Sequence, residues 1–371
     1  MTLPAPFQAA VLSAYGTPLT IREAECTAVK PGDVLVRIKA AGLCHTDLEV
    51  IEGQLRAPLP IVLGHEAAGI VEAVGADVHG VSSDDHVVLS WNPHCGHCFY
   101  CDRDLPILCE TYLREGQRSK HFDGQARIAT GGSDLHQLMF LGAFAEYCVV
   151  PAQCAIPVPR SMPFEAACLI GCGVMTGVGA ALNIAHIGFG ETVMVIGCGA
   201  VGLSAVQGAR LAGAGQIIAV DLSPEKLALA MELGATNAVH APAQDAVKAA
   251  RDATAGRGAD VVLESAGAQP AFRLSMEAVR PGGEVIWLGK TDVNADVAFR
   301  WGSLMQEKRI RRSSYGGARP ARDFPLLAQA YLDGKLKLDP LITRRIRLHE
   351  INDGFAALKS GHAIRSVVVF D

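Results

Sequence analysis

The chain has 371 residues, more than one hydrophobic core usually organises, so two domains are expected. Half of the residues are apolar and 19% are charged, the balance of an ordinary folded, soluble protein. A net charge of -5 removes the electrostatic basis for holding nucleic acid or an acidic membrane surface. The opening MTLPAPFQAAVLSAYG has no basic segment leading into an apolar core of signal length, and no later stretch is expected to stay uncharged and apolar for the ~20 residues of a membrane span. These features point to a cytoplasmic protein with no membrane partner. There, eleven cysteines read as metal ligands, redox groups or small buried residues rather than disulfides.

From Gln8 to about Cys172 the chain is a series of short β-like runs broken by Gly and Pro, among them DVLVRIKAAG (33–42) and PIVLGHEAAGIVEAVG (60–75). Strand-and-loop packing is predicted for this part. Within it GLCHTD places Cys44 beside Thr46, PIVLGHE supplies His65 and Glu66, and LIGCGVMTG supplies Cys172. Singly, such residues are more often packing groups. Together, Cys44, His65 and Cys172 suit a Cys2His zinc site with a fourth position open to a ligand. Between them lies CGHCFYCDRDLPILC, where Cys95, Cys98, Cys101 and Cys109 have the spacing C-x2-C-x2-C-x7-C. One tight loop can then surround a single tetrahedral zinc with four thiolates, which leaves that metal no free position and makes the loop a clamp. An iron–sulfur cluster, whose bacterial pattern runs on to a Cys-Pro absent here, and a set of free thiols are the alternatives. His94 and His97 in the same loop read as solvated.

From about Thr192 to Gly289 the pattern alternates: TVMVIG, a helical run through Arg210, QIIAVD, PEKLALAMELG, DVVLESAG, a helix near 270–279, then EVIWLG. Strands alternating with helices predict βαβ units and a parallel sheet. At its head Gly197, Gly199 and Gly202 stand in G-x-G-x-x-G register directly after a strand, with Ala200 and Val201 opening the following helix. The first Gly permits the tight turn, the second lets a pyrophosphate approach the backbone, and the third allows close helix–strand packing. Asp221 ends the next strand about 20 residues on, where a carboxylate accepts the ribose hydroxyls and repels a 2′-phosphate, favouring NAD over NADP. The tail after Gly316 returns to mixed texture and closes on SVVVF (366–370). An α/β fold follows, with a doubly wound domain over 174–315 inserted into a mainly-β domain made of 1–173 and 316–371.

These motifs, in this order and over about Gln8 to Phe370, resemble the zinc-dependent medium-chain alcohol dehydrogenases. The resemblance implies a Rossmann domain set into a GroES-like catalytic domain, NAD as cofactor and two zinc ions per subunit. It implies Cys44, His65 and Cys172 as ligands of a catalytic zinc, Glu66 standing behind it, and Asp47 hydrogen-bonded to the far nitrogen of His65. His45 and Arg365 match family positions near the pyrophosphate, and Lys226 one near the adenosine ribose. The resemblance further implies that zinc would supply the Lewis acid that acidifies a bound alcohol, that nicotinamide would accept the hydride at C4, and that the Thr46 hydroxyl hands the proton outward.

Three residues past Thr46, much of the family has a histidine that passes the proton to solvent, whereas this chain has Glu49. Either the carboxylate acts as the base or water carries the proton. Trp91 matches a position lining the alcohol pocket and 139–144 lie near another pocket segment, which favours unbranched, aromatic or allylic primary alcohols. The long segment 110–141 resembles that of the dimeric subgroup, so a homodimer is expected, with candidate edge strands at 296–299 and 310–315. EKRIRR (307–312) reads as a solvated face. A glutathione-dependent formaldehyde dehydrogenase is the second reading, with Arg114 near the position that would bind a glycine carboxylate. A zinc-loop module binding nucleic acid or protein is the alternative from another class.

Overall fold

The computed structural model describes residues 3–371 except 117, 242, 243 and 362. Its backbone falls into two compact units, Met1–Cys172 with Arg319–Asp371, and Gly173–Ala318. The expected divisions after 173 and after 315 lie beside these.

The first unit is built on strand Asp33–Gly42, whose ten residues are buried along nearly their whole length. Consecutive positions are buried, so both faces are covered, which is why it reads as an apolar run rather than an alternating one; both of its edges are also paired. Ala67–Val74 pairs antiparallel on one side; Tyr147–Pro151 covers the first half of the other side and Arg365–Val369 the second half. Strand Arg365–Val369, from the far end of the chain, therefore completes a sheet begun by Asp33–Gly42. Five further strands, Phe7–Leu12, Thr20–Cys26, Ile128–Thr130, Ser133–Gln137 and Ile61–Val62, close into a small barrel. Two of them come from the long 110–141 segment. That segment is tied down by charge: Arg127 bonds Asp33 and Asp123, Lys30 bonds Asp123, and His121 Nδ1 lies 3.3 Å from Asp33. Arg127 and His121 hold the Asp33 carboxyl below its usual range although burial opposes this.

The second unit carries six parallel strands in the spatial order Asn237–His240, Gln216–Asp221, Thr192–Ile196, Ala259–Glu264, Val279–Trp287, Arg309–Arg312. The central Thr192–Ile196 is fully buried, because helices cover a doubly wound sheet on both faces. One of its two edges is Arg309–Arg312, overlapping the start of the expected 310–315 run, and its residues are largely exposed. The expected strand at 296–299 is absent. In that stretch Asp296 and Ala298 are exposed, and Phe299 packs from a loop against Trp287, ring centroids 6.4 Å apart.

Three helices depart from the strand-and-loop expectation: His45–Ile51, Glu110–Gly116 and a longer one that leads out of this unit. Phe164–Leu169 is α-helical and runs into a π-helical turn, Ile170–Val174. The whole helical stretch Phe164–Ile184 is, by length and composition, apolar enough to cross a membrane, contrary to the expectation that no such stretch exists; 72% of its most apolar window is buried within the protein, as in a core helix.

Candidate functional site

The segment GLCHTD forms the start of helix His45–Ile51, with Cys44 as its N-cap in extended conformation. Asp47, the third helical residue, turns back on this end. Its Oδ2 accepts the Cys44 N–H at 3.3 Å, and its Oδ1 accepts the Gly64 N–H at 2.9 Å and lies 3.1 Å from Nδ1 of His65. One fully buried carboxylate thus joins the helix to the turn that carries His65. With Nδ1 directed at Asp47, Nε2 of His65 is left facing Sγ of Cys172, 3.5 Å away. Cys172 arrives from the π-helical turn, a local irregularity that re-aims a side chain. The three ligand atoms of Cys44, His65 and Cys172 lie within 4.8 Å of one another.

This set fits a zinc ion. Bonds of about 2.3 Å to sulfur and about 2.05 Å to nitrogen in tetrahedral array put S and N about 3.6 Å apart, against the 3.5 Å found. Hydrogen bonding from Cys172 and the charge of His65 hold the Cys44 thiol well below its usual range, against the desolvation of the site. Burial resists charging of His65, yet Asp47 and Cys44 carry its pKa up to about 10. Glu66 is fully buried, with Oε1 3.2 Å from Nε of Arg365. Nη1 of Arg365 donates to the Leu43 carbonyl at 2.7 Å. Arg365, expected at the pyrophosphate, is thus placed in a buried pair beside the cysteines. Burial disfavours its charge, but Glu66, Cys44 and Cys172 hold the guanidinium above its ordinary pKa.

The loop cysteines also converge: Cys95, Cys98, Cys101 and Cys109 have their sulfurs within 4.8 Å of one another. The Cys98–Cys101 and Cys95–Cys101 separations are 3.5 and 4.0 Å; four sulfurs about 2.3 Å from one zinc are about 3.8 Å apart. Sγ of Cys109, fully buried, accepts the N–H groups of Cys95 at 3.3 Å and Tyr112 at 3.5 Å. His97 faces solvent and contacts the Cys95 carbonyl; His94 is half-buried.

In the second unit the Gly-rich turn has the expected shape. Gly197 sits at φ +89, open to glycine without strain. A Cβ on Gly202 would fall 1.7 Å from the Gly197 carbonyl oxygen. Gly199, the N-cap of helix Ala200–Leu211, has nothing within 4 Å of where a Cβ would stand, so a ligand can approach its backbone. Asp221 closes strand Gln216–Asp221 and accepts the N–H groups of Cys198 at 2.6 Å and Ser223 at 2.9 Å. It therefore fixes the turn as well as offering a carboxylate. Lys226 lies half-buried in the first turn of helix Pro224–Glu232.

On helix His45–Ile51, Thr46 is buried, Glu49 half-buried and His45 exposed. Trp91 packs near Tyr112, ring centroids 6.1 Å apart, and Tyr112 packs on Phe140. Arg114 is exposed and pairs with Glu115 at 2.7 Å, rather than standing free for a carboxylate. Two residues that motif spacing did not single out, Glu264 and Ser265, stand at the carboxyl end of a central strand. The available signal was a buried acid closing the apolar run DVVLE.

Residues 30–160 match the family model of the alcohol dehydrogenase GroES-like domain, and residues 200–332 that of the zinc-binding dehydrogenases. An NDMA-dependent alcohol dehydrogenase of Amycolatopsis methanolica is 37% identical over 98% of both chains. An S-(hydroxymethyl)glutathione dehydrogenase of Paracoccus denitrificans is 34% identical over 98% of this chain and 99% of its own. Among solved structures, benzyl alcohol dehydrogenase from Acinetobacter calcoaceticus superposes with a TM-score of 0.93 at 30% identity, covering 99% of this chain and 100% of that one.

Proposed function

Since the chain belongs to the zinc-dependent medium-chain alcohol dehydrogenase family and is therefore an oxidoreductase, we propose that it oxidises primary alcohols, aromatic or allylic ones foremost, to aldehydes with NAD. The observation that carries this reading is the Cys44–His65–Cys172 cluster, its imidazole buried and its two thiols partly buried, drawn from three distant segments and oriented by one carboxylate. Those residues would hold a catalytic zinc, and Cys95, Cys98, Cys101 and Cys109 a structural one. When bound, zinc supplies a Lewis acid that acidifies a hydroxyl, and the nicotinamide supplies the acceptor for hydride.

The chain's own residues do the rest. Asp47 keeps the His65 ring in one orientation and one tautomer. Arg365 offsets the negative charge of Glu66 and the two thiolates, so the centre does not accumulate uncompensated charge in a buried place. Thr46, buried on the first helical turn, takes the substrate proton on its hydroxyl. Glu49, one turn further along the same face, receives it and passes it to water. In the nucleotide unit the backbone at Gly199, Ala200 and Val201 binds pyrophosphate, and Asp221 binds the adenosine ribose. His45 and Lys226 add positive charge at the rim.

Trp91 forms one wall of the alcohol pocket, which suits flat substrates and agrees with the benzyl alcohol relative. Two chains associate through the exposed edge Arg309–Arg312, near the exposed side chains of Trp301 and Met305. The enzyme works in the cytoplasm, where its eleven cysteines stay reduced.

The test is a substrate panel with the zinc-loaded protein, comparing benzyl, allyl and simple aliphatic alcohols with NAD, NADP and NDMA as acceptors. Benzyl alcohol with NAD is expected to give the highest kcat/KM. Oxidation of formaldehyde that depends strictly on glutathione would replace this reading with that of the Paracoccus relative.

A further inference from the structure

Strand Ala259–Glu264 ends on a carboxylate with no solvent exposure. Oε1 of Glu264 accepts the N–H groups of Ala266 and Gly267, both at 2.8 Å. Oε2 is buried and has no hydrogen-bond partner among the described residues. Keeping a carboxylate in such a place is costly, so it calls for a reason beyond packing. The main-chain carbonyl of Glu264 accepts the N–H groups of Leu288 at 2.7 Å and Gly289 at 3.0 Å. One residue thereby joins the loop after its own strand to the loop after the neighbouring strand Val279–Trp287. The two loops meet backbone to backbone: a Cβ on Gly289 would fall 2.2 Å from the Gly267 nitrogen and 2.6 Å from Oε2 of Glu264. Ser265 then ties this pair to the Gly-rich turn, donating its hydroxyl to the Gly197 carbonyl at 2.8 Å and its N–H to the Ile196 carbonyl at 2.8 Å.

Topology decides which part of a dinucleotide these loops would underlie. Strand Gln216–Asp221 flanks Thr192–Ile196 on one side and Ala259–Glu264 flanks it on the other. A ligand on such a sheet lies across the carboxyl ends at this switch point, with its pyrophosphate at the helix following the Gly-rich turn. Asp221 marks the adenosine side, so the nicotinamide riboside extends over the loops at 265–267 and 288–290.

We propose that Glu264 and Ser265 are positioning residues for the nicotinamide half of the cofactor, with Glu264 buckling the two loops together and Ser265 locking them to the pyrophosphate turn. The inference rests on the dinucleotide reading of this unit. Its test measures the Kd of NADH by fluorescence titration, the Kd of AMP by calorimetry, and Tm, for the full chain and three variants. Ser265→Ala and Glu264→Ala are expected to weaken NADH on the order of tenfold, because buried N–H and carbonyl groups lose their partners. AMP, which occupies only the adenosine side, should change less than about twofold. Glu264→Gln keeps an acceptor for Ala266 and Gly267 and should recover most of the NADH affinity. Equal losses for NADH and AMP in Ser265→Ala, or no loss in any variant, would overturn the proposal, and Ser265→Ala decides alone if Glu264→Ala does not fold. A wild-type chain that binds neither NADH nor AMP removes the dinucleotide reading itself, and this inference with it.

Discussion

Asp47 carries more of the first unit's site than any ligand does, since its two oxygens hold the Cys44 N–H, the Gly64 N–H and the His65 ring at once. Asp47→Ala is expected to lower zinc affinity at that centre by about 10–100-fold, read by competition with a chromogenic chelator. The four-cysteine equivalent should stay bound, and joint loss of both metals would refute the separation of the two centres. Glu49→Gln tests the proton path: turnover should fall mainly below neutral pH if the carboxylate relays the proton, and an unchanged pH–rate profile would rule that role out. Cys44, His65 and Cys172 were legible as a group in the sequence because zinc ligands come from a short list of residue types, whereas Asp47 came only with the family resemblance. The partner of Arg365 was not legible, because a buried arginine and its acid, Glu66, are separated by most of the chain and share no spacing rule.

At the scale of elements, the Gly-rich turn and the charged clasp on the 110–141 segment make opposite demands. The turn has no space: Gly202→Ala places a methyl group 1.7 Å from a carbonyl oxygen, so it should abolish NADH binding and lower Tm, whereas Gly199→Ala, which meets nothing, should leave Tm nearly unchanged. The clasp depends on charge. Arg127 and Asp33 are both buried, so Arg127→Met leaves an uncompensated carboxylate and should cost about 3–5 kcal/mol in chemical denaturation. The folded pKa of Asp33 is depressed, so its stabilisation is present above the unfolded value of about 3.9 and is lost as pH falls through the lower folded value. Tm of the wild type should therefore drop on acidification below about pH 4, and Asp33→Asn should flatten that dependence. The βαβ alternation was readable because apolar strands and helical runs differ in period. The π-helical turn at Cys172 was hidden, since Gly171 and Gly173 around a cysteine look the same in a loop as in a widened helical turn.

For the whole molecule, the proposed reading gives the two cysteine clusters separate duties. Cys109→Ser is expected to reduce bound zinc from two equivalents per chain to one by elemental analysis, to lower Tm, and to leave the KM for benzyl alcohol nearly unchanged in the fraction that stays folded. A KM that rises with loss of the loop metal would show that the clamp also shapes the alcohol pocket. The native mass by light scattering should be twice that of one chain. Trp301→Asp, on the exposed flank before Arg309–Arg312, should shift it toward one chain if that edge is the contact.

The residue types, their spacing and the periodicity of the apolar runs were enough to mark two clusters of cysteines whose sulfurs converge, a Gly-rich turn with an acid closing the next strand, and an alternating strand–helix unit set within a strand-rich one. These are local or pattern properties, written in the order of side chains along the chain. Tertiary structure alone decided that Asp47 serves three groups, that Arg365 pairs with Glu66, that the stretch at 296–299 is no strand, and that Glu264 buckles two loops beside the glycine turn. Each of these depends on which distant segments are brought within hydrogen-bond reach and away from water, and a buried polar group acquires its partner only when the fold supplies one.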